Sequence, residues 1–316
     1  MMHNFALAGA AGYIAERHMR AIRETGNRIV SATDVFDVMG RMDSYFPEAD
    51  FFANPDDFEE DLSSRKGTDL SIDYVSVCTP NHLHARYVLM ALYNDAFAIC
   101  EKPLVIFPEE IEALELAEQQ TGKKVFNILQ LRLHPAIVAL REKIRQGDPH
   151  NVYDIDLTYI TSRGKWYFQS WKGDWNKSGS LATNIGIHFF DMLTWIFGSV
   201  RQNTVHVYEA HKAAGFLELD HARVRWYLSL DYDDVPQAAR ERGLRTYRSI
   251  TVDGKEIEFS GGFTDLHTEA YNHILEWNGF GISDAKSCIL LTHDIRNAQP
   301  IGLTGDYHPF LKGRFI

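Results

Sequence analysis

The chain has 316 residues, of which 45% are hydrophobic and 24% charged, a composition typical of folded globular proteins. A single core rarely grows beyond ~250 residues, so the length predicts two domains. The formal net charge of −11, without a local block of Lys and Arg, argues against nucleic acid as a partner.

The chain carries no stretch that approaches the ~20 apolar residues of a membrane span, and its first residues reach a glycine turn before a signal-type apolar core could form. We therefore expect no membrane association and a cytoplasmic protein. Cys78, Cys100 and Cys288 form neither a CxxC pair nor a disulfide framework. We expect them to be reduced and mostly buried.

The N-terminal residues predict a dinucleotide-binding unit. An apolar strand over Phe5–Ala8 runs into Gly9-Ala10-Ala11-Gly12, an amphipathic helix follows from Tyr13 to Glu24, and a second strand over Ile29–Thr33 ends at Asp34. Small residues at such a turn let backbone N–H groups approach a pyrophosphate, and an acid about 20 residues on binds a ribose diol.

The turn departs from the GxGxxG pattern, because Ala11 and Ile14 stand at the second and third glycine positions. A plain strand-to-helix turn is the alternative, but Asp34 at the end of the second strand favours a cofactor site. Asp34 would also repel the 2′-phosphate of NADP, so we predict NAD. The cofactor-binding candidates at this turn are Gly9, Ala11, Gly12, Tyr13, Ile14 and Asp34.

Two further strands end in polar turns. Residues 74–78 lead into Thr79, Pro80, Asn81 and His84, and residues 96–100 lead into Glu101-Lys102-Pro103. A helix over residues 109–121 and a strand over residues 124–127 follow. Ligands of open α/β sheets bind at the carboxyl ends of the strands, so both polar turns are expected at the cofactor edge.

These motifs resemble the glucose-fructose oxidoreductase, inositol dehydrogenase and rhizopine-catabolism (Gfo/Idh/MocA) family. The second half supplies that family's other signature, a glycine-containing run from Ser178 through Thr183 and Asn184 to Gly186 and His188. The resemblance spans the full chain. It implies that Lys102 and His188 are catalytic and flank the sugar carbon that gives hydride to the nicotinamide, and that His84 contacts the cofactor.

Asn184 stands where most sugar dehydrogenases of the family have an aspartate. An amide cannot act as a base, so His188, with an unperturbed pKa of about 6.5, is the predicted proton acceptor. Asn184, beside Thr183, is predicted to position the sugar. Together with Thr161–Tyr167, this motif is most similar to the bacterial UDP-N-acetylglucosaminuronate 3-dehydrogenases of lipopolysaccharide O-antigen biosynthesis.

The second half alternates apolar and polar residues over 152–161, 204–208, 223–230 and 247–252, a pattern typical of strands. The predicted fold is α/β, with an NAD-binding Rossmann domain of doubly wound parallel sheet over residues 1–128. An α+β domain with a large open, mostly antiparallel sheet is predicted over residues 129–316. The resemblance implies a homo-oligomer, a dimer or homotetramer built through that second sheet.

Cations and aromatic residues alternate from Arg163 and Lys165 to Trp175, a stretch that we call the cation-aromatic loop (residues 163–175). We interpret Arg163 and Lys165 as contacts for an anionic nucleotide sugar, although a loop packed on the sheet would give the same pattern. We assign the tryptophans of this loop to packing.

Gln130, Arg132 and Lys102 are further substrate-binding candidates. The arginines from Arg240 to Arg248 are either solvated or directed to a neighbouring subunit. The histidine spacings predict no metal site.

The resemblance implies NAD-dependent oxidation of the C3 hydroxyl of UDP-N-acetylglucosaminuronic acid to a 3-keto sugar, with 2-oxoglutarate as a candidate partner that reoxidises the cofactor. Two alternatives stay open. One is another NAD-dependent enzyme of the family that acts on a sugar, an inositol or a glycoside. The other is an NAD-binding regulator without catalysis, a function that retention of Lys102 and His188 disfavours.

Overall fold

The computed structural model describes residues 2–37, 39–257 and 265–312. Within them the chain forms two compact units. Residues up to Gln130 and residues 265–286 make the first unit, and residues 131–257 with 287–312 make the second. The first unit is therefore discontinuous in sequence, since a late segment returns to it.

The first unit is built on a six-stranded parallel sheet in the order β3-β2-β1-β4-β5-β6. Its strands are β1 (Asn4–Ala8), β2 (Arg28–Thr33), β3 (Asp50–Phe52), β4 (Tyr74–Val77), β5 (Phe97–Cys100) and β6 (Val125–Asn127). The strand order reverses between β1 and β4, which is where doubly wound sheets open a crevice for a ligand. The predicted Rossmann-type sheet is confirmed.

The second unit holds a six-stranded sheet in the order β12-β11-β7-β10-β9-β8. Its strands are β7 (Tyr153–Thr161), β8 (Val200–Tyr208), β9 (Lys212–Leu219), β10 (Ala222–Ser229), β11 (Thr246–Val252) and β12 (Lys255–Glu256). Every neighbouring pair is antiparallel except β7 and β10, which run parallel. The prediction of a mostly antiparallel second sheet is confirmed.

The helices in chain order are α1 (Ala15–Glu24), α2 (Met39–Tyr45), α3 (Pro55–Ser64), α4 (His84–Tyr93), α5 (Glu109–Thr121), α6 (Pro135–Gln146), α7 (Trp166–Gln169), α8 (Trp175–Ser178), α9 (Ile187–Phe197), α10 (Gln237–Glu241), α11 (Leu266–Leu275) and α12 (Ile282–Asn297). Local signals fix several of their ends. Asn54 caps α3 by accepting the Asp56 N–H at 3.0 Å, and α5 stops at Gly122, whose φ is +70°.

Among the described helices, none has the length and apolar character to cross a membrane.

Each face of the second sheet packs, at β10, against residues of its own unit. Trp226 and Tyr227 are neighbours on β10 and point to opposite faces, yet both are fully buried. Trp226 lies in the main core with Phe190 of α9, and Tyr227 packs with Leu311 near the end of the described chain. The three cysteines are free and buried, as predicted.

His308 belongs to the segment that covers the Tyr227 face. Its ring lies 5.7 Å from the Tyr227 ring, its Nε2 is 3.2 Å from Thr158 Oγ1, and its Nδ1 accepts the Phe310 N–H at 3.1 Å. Burial lowers the pKa of His308 to about 4, so the ring is neutral in the folded protein at neutral pH.

The lowered pKa of His308 makes stability depend on pH. The unfolded chain takes up a proton below about pH 6.5 while the folded ring resists it, so this contribution is complete above pH 6.5 and is lost as pH falls toward 4. Between pH 7.5 and pH 5, wild type should lose ~2 kcal/mol more unfolding free energy than His308→Asn, which keeps a cap for Phe310. Urea unfolding of both proteins measures this difference, and parallel losses would contradict it.

Candidate functional site

The glycine turn after β1 packs directly on the end of β4. Gly9 has a φ of +85°, and a Cβ placed there would lie 2.6 Å from the backbone carbon of Cys78, so glycine is required. Ile14, at the N-terminus of α1, provides no side-chain cap. The N–H groups of the first helical turn are therefore suited to bind an anion such as a pyrophosphate.

Asp34 lies beside this turn, as the sequence predicts. Its Oδ2 accepts the Ala11 N–H at 2.8 Å, and its Oδ1 accepts the Phe36 N–H at 3.0 Å. These bonds hold the half-buried carboxylate next to the turn and leave further lone pairs for the hydroxyls of a ribose. Tyr13, also predicted to bind the cofactor, is 81% exposed.

His84 links the two polar turns at the carboxyl edge of the sheet. Its ring is buried, with Nδ1 2.6 Å from the Pro103 carbonyl oxygen and Nε2 2.9 Å from the Thr79 carbonyl oxygen. Burial lowers the pKa of His84. The structure therefore gives His84 a role in joining the segments around Thr79 and Lys102.

Two further side chains complete this edge. Lys102 is half-buried, and the carboxylate of the preceding Glu101 accepts the Lys102 backbone N–H at 3.2 Å. Thr79 is buried, and its Oγ1 has no hydrogen-bond partner within the protein. A buried orphan hydroxyl, an uncapped helix start and a glycine in close contact together fit a dinucleotide.

The second motif lies at the start of α9. Residues Ala182–Gly186 form a π-helical turn that continues directly into the helix. Such turns are rare and are frequent at functional sites. Thr183 and Asn184 are buried in this turn, and the half-buried His188 follows one residue into α9.

Tyr167 holds Asn184 in place. The Asn184 Nδ2 group donates to the Tyr167 hydroxyl oxygen at 3.0 Å, and both side chains are buried. This bond restricts the position of the Asn184 side chain. The contact between Tyr167 and Asn184 could not be predicted from the sequence, because the two residues are 17 positions apart.

Arg132, predicted as a substrate contact, forms a buried ion pair. Its guanidinium donates to Asp191 of α9 through Nε at 3.1 Å and through a terminal nitrogen at 2.7 Å. Both side chains are at most 5% exposed. Such a bidentate pair anchors α9, and removing one partner would leave a buried charge uncompensated.

The cation-aromatic loop presents its charges to solvent. Arg163 and Lys165 are exposed, and Trp166 and Trp175 are 51% and 42% exposed. Lys172 is less exposed and lies 5.4 Å from the Trp166 ring. Burial, together with the charge of Arg163, lowers the pKa of Lys172.

The other candidates have identifiable surroundings. Gln130 is half-buried, and its Oε1 has no hydrogen-bond partner. In the arginine stretch, Arg245 and Arg248 stack on Tyr232 and Tyr159 of their own unit, at 5.2 and 5.4 Å. Across the described residues, one group has metal-ligand spacing, formed by the side chains of His18, Glu101 and His267, which the sequence did not indicate.

Comparison with known proteins identifies the family. Residues 3–128 match the model for the NAD-binding Rossmann fold of the Gfo/Idh/MocA oxidoreductase family, and residues 141–274 match that family's C-terminal alpha/beta domain. Because the two models cover most of the chain, the protein belongs to this oxidoreductase family. The family, fold class and NAD cofactor predicted from the sequence are confirmed.

Solved structures give a closer likeness. The chain is 48% identical to the WlbA (WbpB) dehydrogenase from Thermus thermophilus in complex with NAD and UDP-GlcNAcA, with a TM-score of 0.94 over 98% of this chain and 100% of that one. Another structure of that dehydrogenase, in complex with NAD and alpha-ketoglutarate, is 49% identical. A WlbA dehydrogenase from Bordetella pertussis shares 18% identity at a TM-score of 0.78, a likeness of fold.

Curated relatives are more distant. D-glucoside 3-dehydrogenase from Escherichia coli is 29% identical over 44% of this chain and 40% of that protein. Inositol 2-dehydrogenase from Rhizobium meliloti is 26% identical over 63% of this chain and 56% of that protein. The chain thus spans less than two thirds of the length of these relatives.

Replacing Asp34 by Ala removes the acceptor beside the glycine turn. NAD should bind ~10- to 100-fold more weakly, because bonds to a charged acceptor contribute about 1.5–3 kcal/mol. NADP should be affected less, so the preference for NAD narrows. Titration calorimetry with both cofactors measures this, with Asp43→Ala, a change of an exposed acid in the same unit, as control. An unchanged preference in Asp34→Ala would mean that another residue reads the ribose.

Proposed function

We propose that the protein oxidises the C3 hydroxyl of UDP-N-acetylglucosaminuronic acid to a ketone with NAD as hydride acceptor. The observation that carries this proposal is the 48% identity, over 98% of the chain, to a dehydrogenase solved with NAD and UDP-GlcNAcA. Lys102, Asn184 and His188 stand at the corresponding positions of the family motifs. They supply the polar groups that alcohol oxidation needs.

The cofactor would be held by the glycine turn, Asp34 and the turns around Thr79 and Lys102. Its nicotinamide, when bound, supplies an acceptor for the hydride that leaves the sugar carbon. Pro80, Asn81, His84 and Glu101 support this edge, and His84 ties its two polar turns together. The residues of the chain are left to orient the alcohol and to take its proton.

His188 is the proposed base. Its imidazole accepts the hydroxyl proton, a task suited to a group with an ordinary pKa near 6.5. The Lys102 ammonium donates a hydrogen bond to the same oxygen and stabilises the negative charge that develops there. Asn184, held by Tyr167, orients the ring without taking a proton, because its amide cannot act as a base.

The acidic parts of the substrate would meet the cation-aromatic loop. Arg163 and Lys165 are exposed cations, suited to a diphosphate and a carboxylate. Thr183 and Gln130 are proposed to bind the sugar through polar atoms that lack protein partners. Arg132, paired with Asp191, is proposed to anchor α9 instead.

We also propose that 2-oxoglutarate reoxidises the cofactor on the enzyme, since a dehydrogenase 49% identical to this chain was solved with NAD and alpha-ketoglutarate. The pathway would be lipopolysaccharide O-antigen sugar biosynthesis in the cytoplasm, and the enzyme would be a dimer or homotetramer. These points rest on the resemblance to the subgroup. Oxidation of another sugar or an inositol is the alternative, which needs no cationic loop for a diphosphate.

Exchanging Lys102 for Met removes the proposed hydrogen-bond donor to the reacting oxygen. Turnover should fall by ~10²- to 10⁴-fold while NAD binding persists. The absorbance of the reduced nicotinamide, followed after UDP-N-acetylglucosaminuronic acid and then 2-oxoglutarate are added, measures both half-reactions. Lys66→Met, a change of an exposed lysine in the same unit, should behave as wild type. An active Lys102→Met enzyme would refute the assigned role.

Changing Tyr167 to Phe removes one hydrogen-bond partner of the Asn184 amide. The loss of one hydrogen bond, about 1 kcal/mol, should lower kcat/KM for the sugar ~5-fold while NAD affinity stays unchanged. Steady-state kinetics and NAD titration separate the two effects. Equal kcat/KM in wild type and variant would show that Asn184 is oriented by other contacts.

A further inference from the structure

A buried polar cluster lies behind the Glu101-Lys102-Pro103 turn. The Nε2 atoms of His18 and His267 lie 3.0 and 2.9 Å from the same oxygen of Glu101, Oε1. All three side chains are at most 6% exposed. Burying a carboxylate is costly unless it is hydrogen-bonded, and these two bonds replace part of its hydration.

The proton positions in the cluster follow from its electrostatics. Burial raises the pKa of Glu101, but hydrogen bonds from His18 and His267 outweigh it and hold that pKa well below the usual range. Burial lowers the pKa of His18, so its ring is neutral and carries one N–H, which goes to Glu101. His18 Nδ1 then accepts from the Tyr271 hydroxyl at 2.8 Å, and Ser76 lies 2.6 Å from that hydroxyl.

The cluster acts on the lysine that follows it. Glu101 Oε2, the oxygen not used by the histidines, accepts the backbone N–H of Lys102 at 3.2 Å. His18 belongs to α1, which starts at the glycine turn, and His267 and Tyr271 belong to α11. The orientation of the Lys102 backbone is thereby set by two helices through one carboxylate.

Two histidines and a carboxylate could also ligate a divalent metal ion. The distances favour hydrogen bonds, because both N···O separations are those of direct N–H···O contacts.

We propose that His18, Glu101 and His267 are positioning residues that hold Lys102 in its catalytic orientation. This inference rests on the proposed function, in which Lys102 contacts the reacting oxygen. It predicts that breaking the cluster lowers the rate of hydride transfer with little effect on NAD binding, because the buried histidines contact Glu101 and act through it.

The kinetic test compares His18→Phe and His267→Phe with the matched control His273→Phe, the same change at a half-exposed position of α11. We expect kcat to fall ~10- to 100-fold in the first two variants, since small misplacements of a catalytic group have effects of this size, and NAD affinity to stay within about threefold. His18→Gln and His267→Gln, which can still donate to Glu101, should recover most of kcat.

Amide hydrogen exchange tests the cluster without any substrate. The peptide that contains Lys102 should exchange ~10-fold faster in both Phe variants than in wild type or His273→Phe, because the Lys102 N–H loses its fixed acceptor. Tyr271→Phe, which keeps the core volume, should shift exchange in the same direction and serves if a histidine variant does not fold. This readout stands even if the sugar proves to be a different one.

Three results would overturn the proposal. The first is unchanged exchange of the Lys102 peptide in all of these variants. The second is faster exchange with an unchanged kcat for a sugar that the wild type oxidises, which would make the cluster purely structural. The third is one equivalent of a transition metal in purified wild type that is lost in His18→Phe and His267→Phe, which would make the cluster a metal centre.

Discussion

The close contact between the glycine turn and the end of β4 is the constraint on which the first unit depends. A Cβ at Gly9 would meet the backbone of Cys78 at 2.6 Å, so the chain passes there without room for a side chain. The same turn receives Asp34 from the end of β2, through the Ala11 N–H. His84 joins the ends of β4 and β5. The ends of four strands, β1, β2, β4 and β5, are therefore connected at one edge of the sheet.

Local sequence patterns predicted most of the strands of the first unit. Strand patterns that end in polar turns predicted β1, β2, β4 and β5, because buried parallel strands are short apolar runs. Contacts between distant segments could not be predicted, since no local pattern records them. The return of residues 265–286 to the first unit brings His267 to Glu101 across 166 positions. Strand β9 was missed because Lys212–Leu219 contains alanines and a glycine, which are weak strand signals.

Asn184 stands where most sugar dehydrogenases of the family have an aspartate, and its contacts differ from what the sequence alone indicates. In the sequence, the amide of Asn184 in place of an acid means that this position cannot supply a base. In the fold the amide donates to Tyr167 from within a π-helical turn, a contact that fixes its orientation. An ionised aspartate would instead accept a hydrogen bond from the Tyr167 hydroxyl. The amide therefore removes a possible base from this position and keeps a polar contact to Tyr167.

The charge distribution supports an anionic substrate for an acidic protein. The net charge of −11 repels anions at long range, but screening limits that repulsion to about 8–10 Å at physiological salt. Within that distance, the nearby cations determine whether an anion is attracted. Burial and the charge of Arg163 lower the pKa of Lys172. An anion bound beside both cations would offset their mutual repulsion, an interaction that a neutral polyol cannot provide.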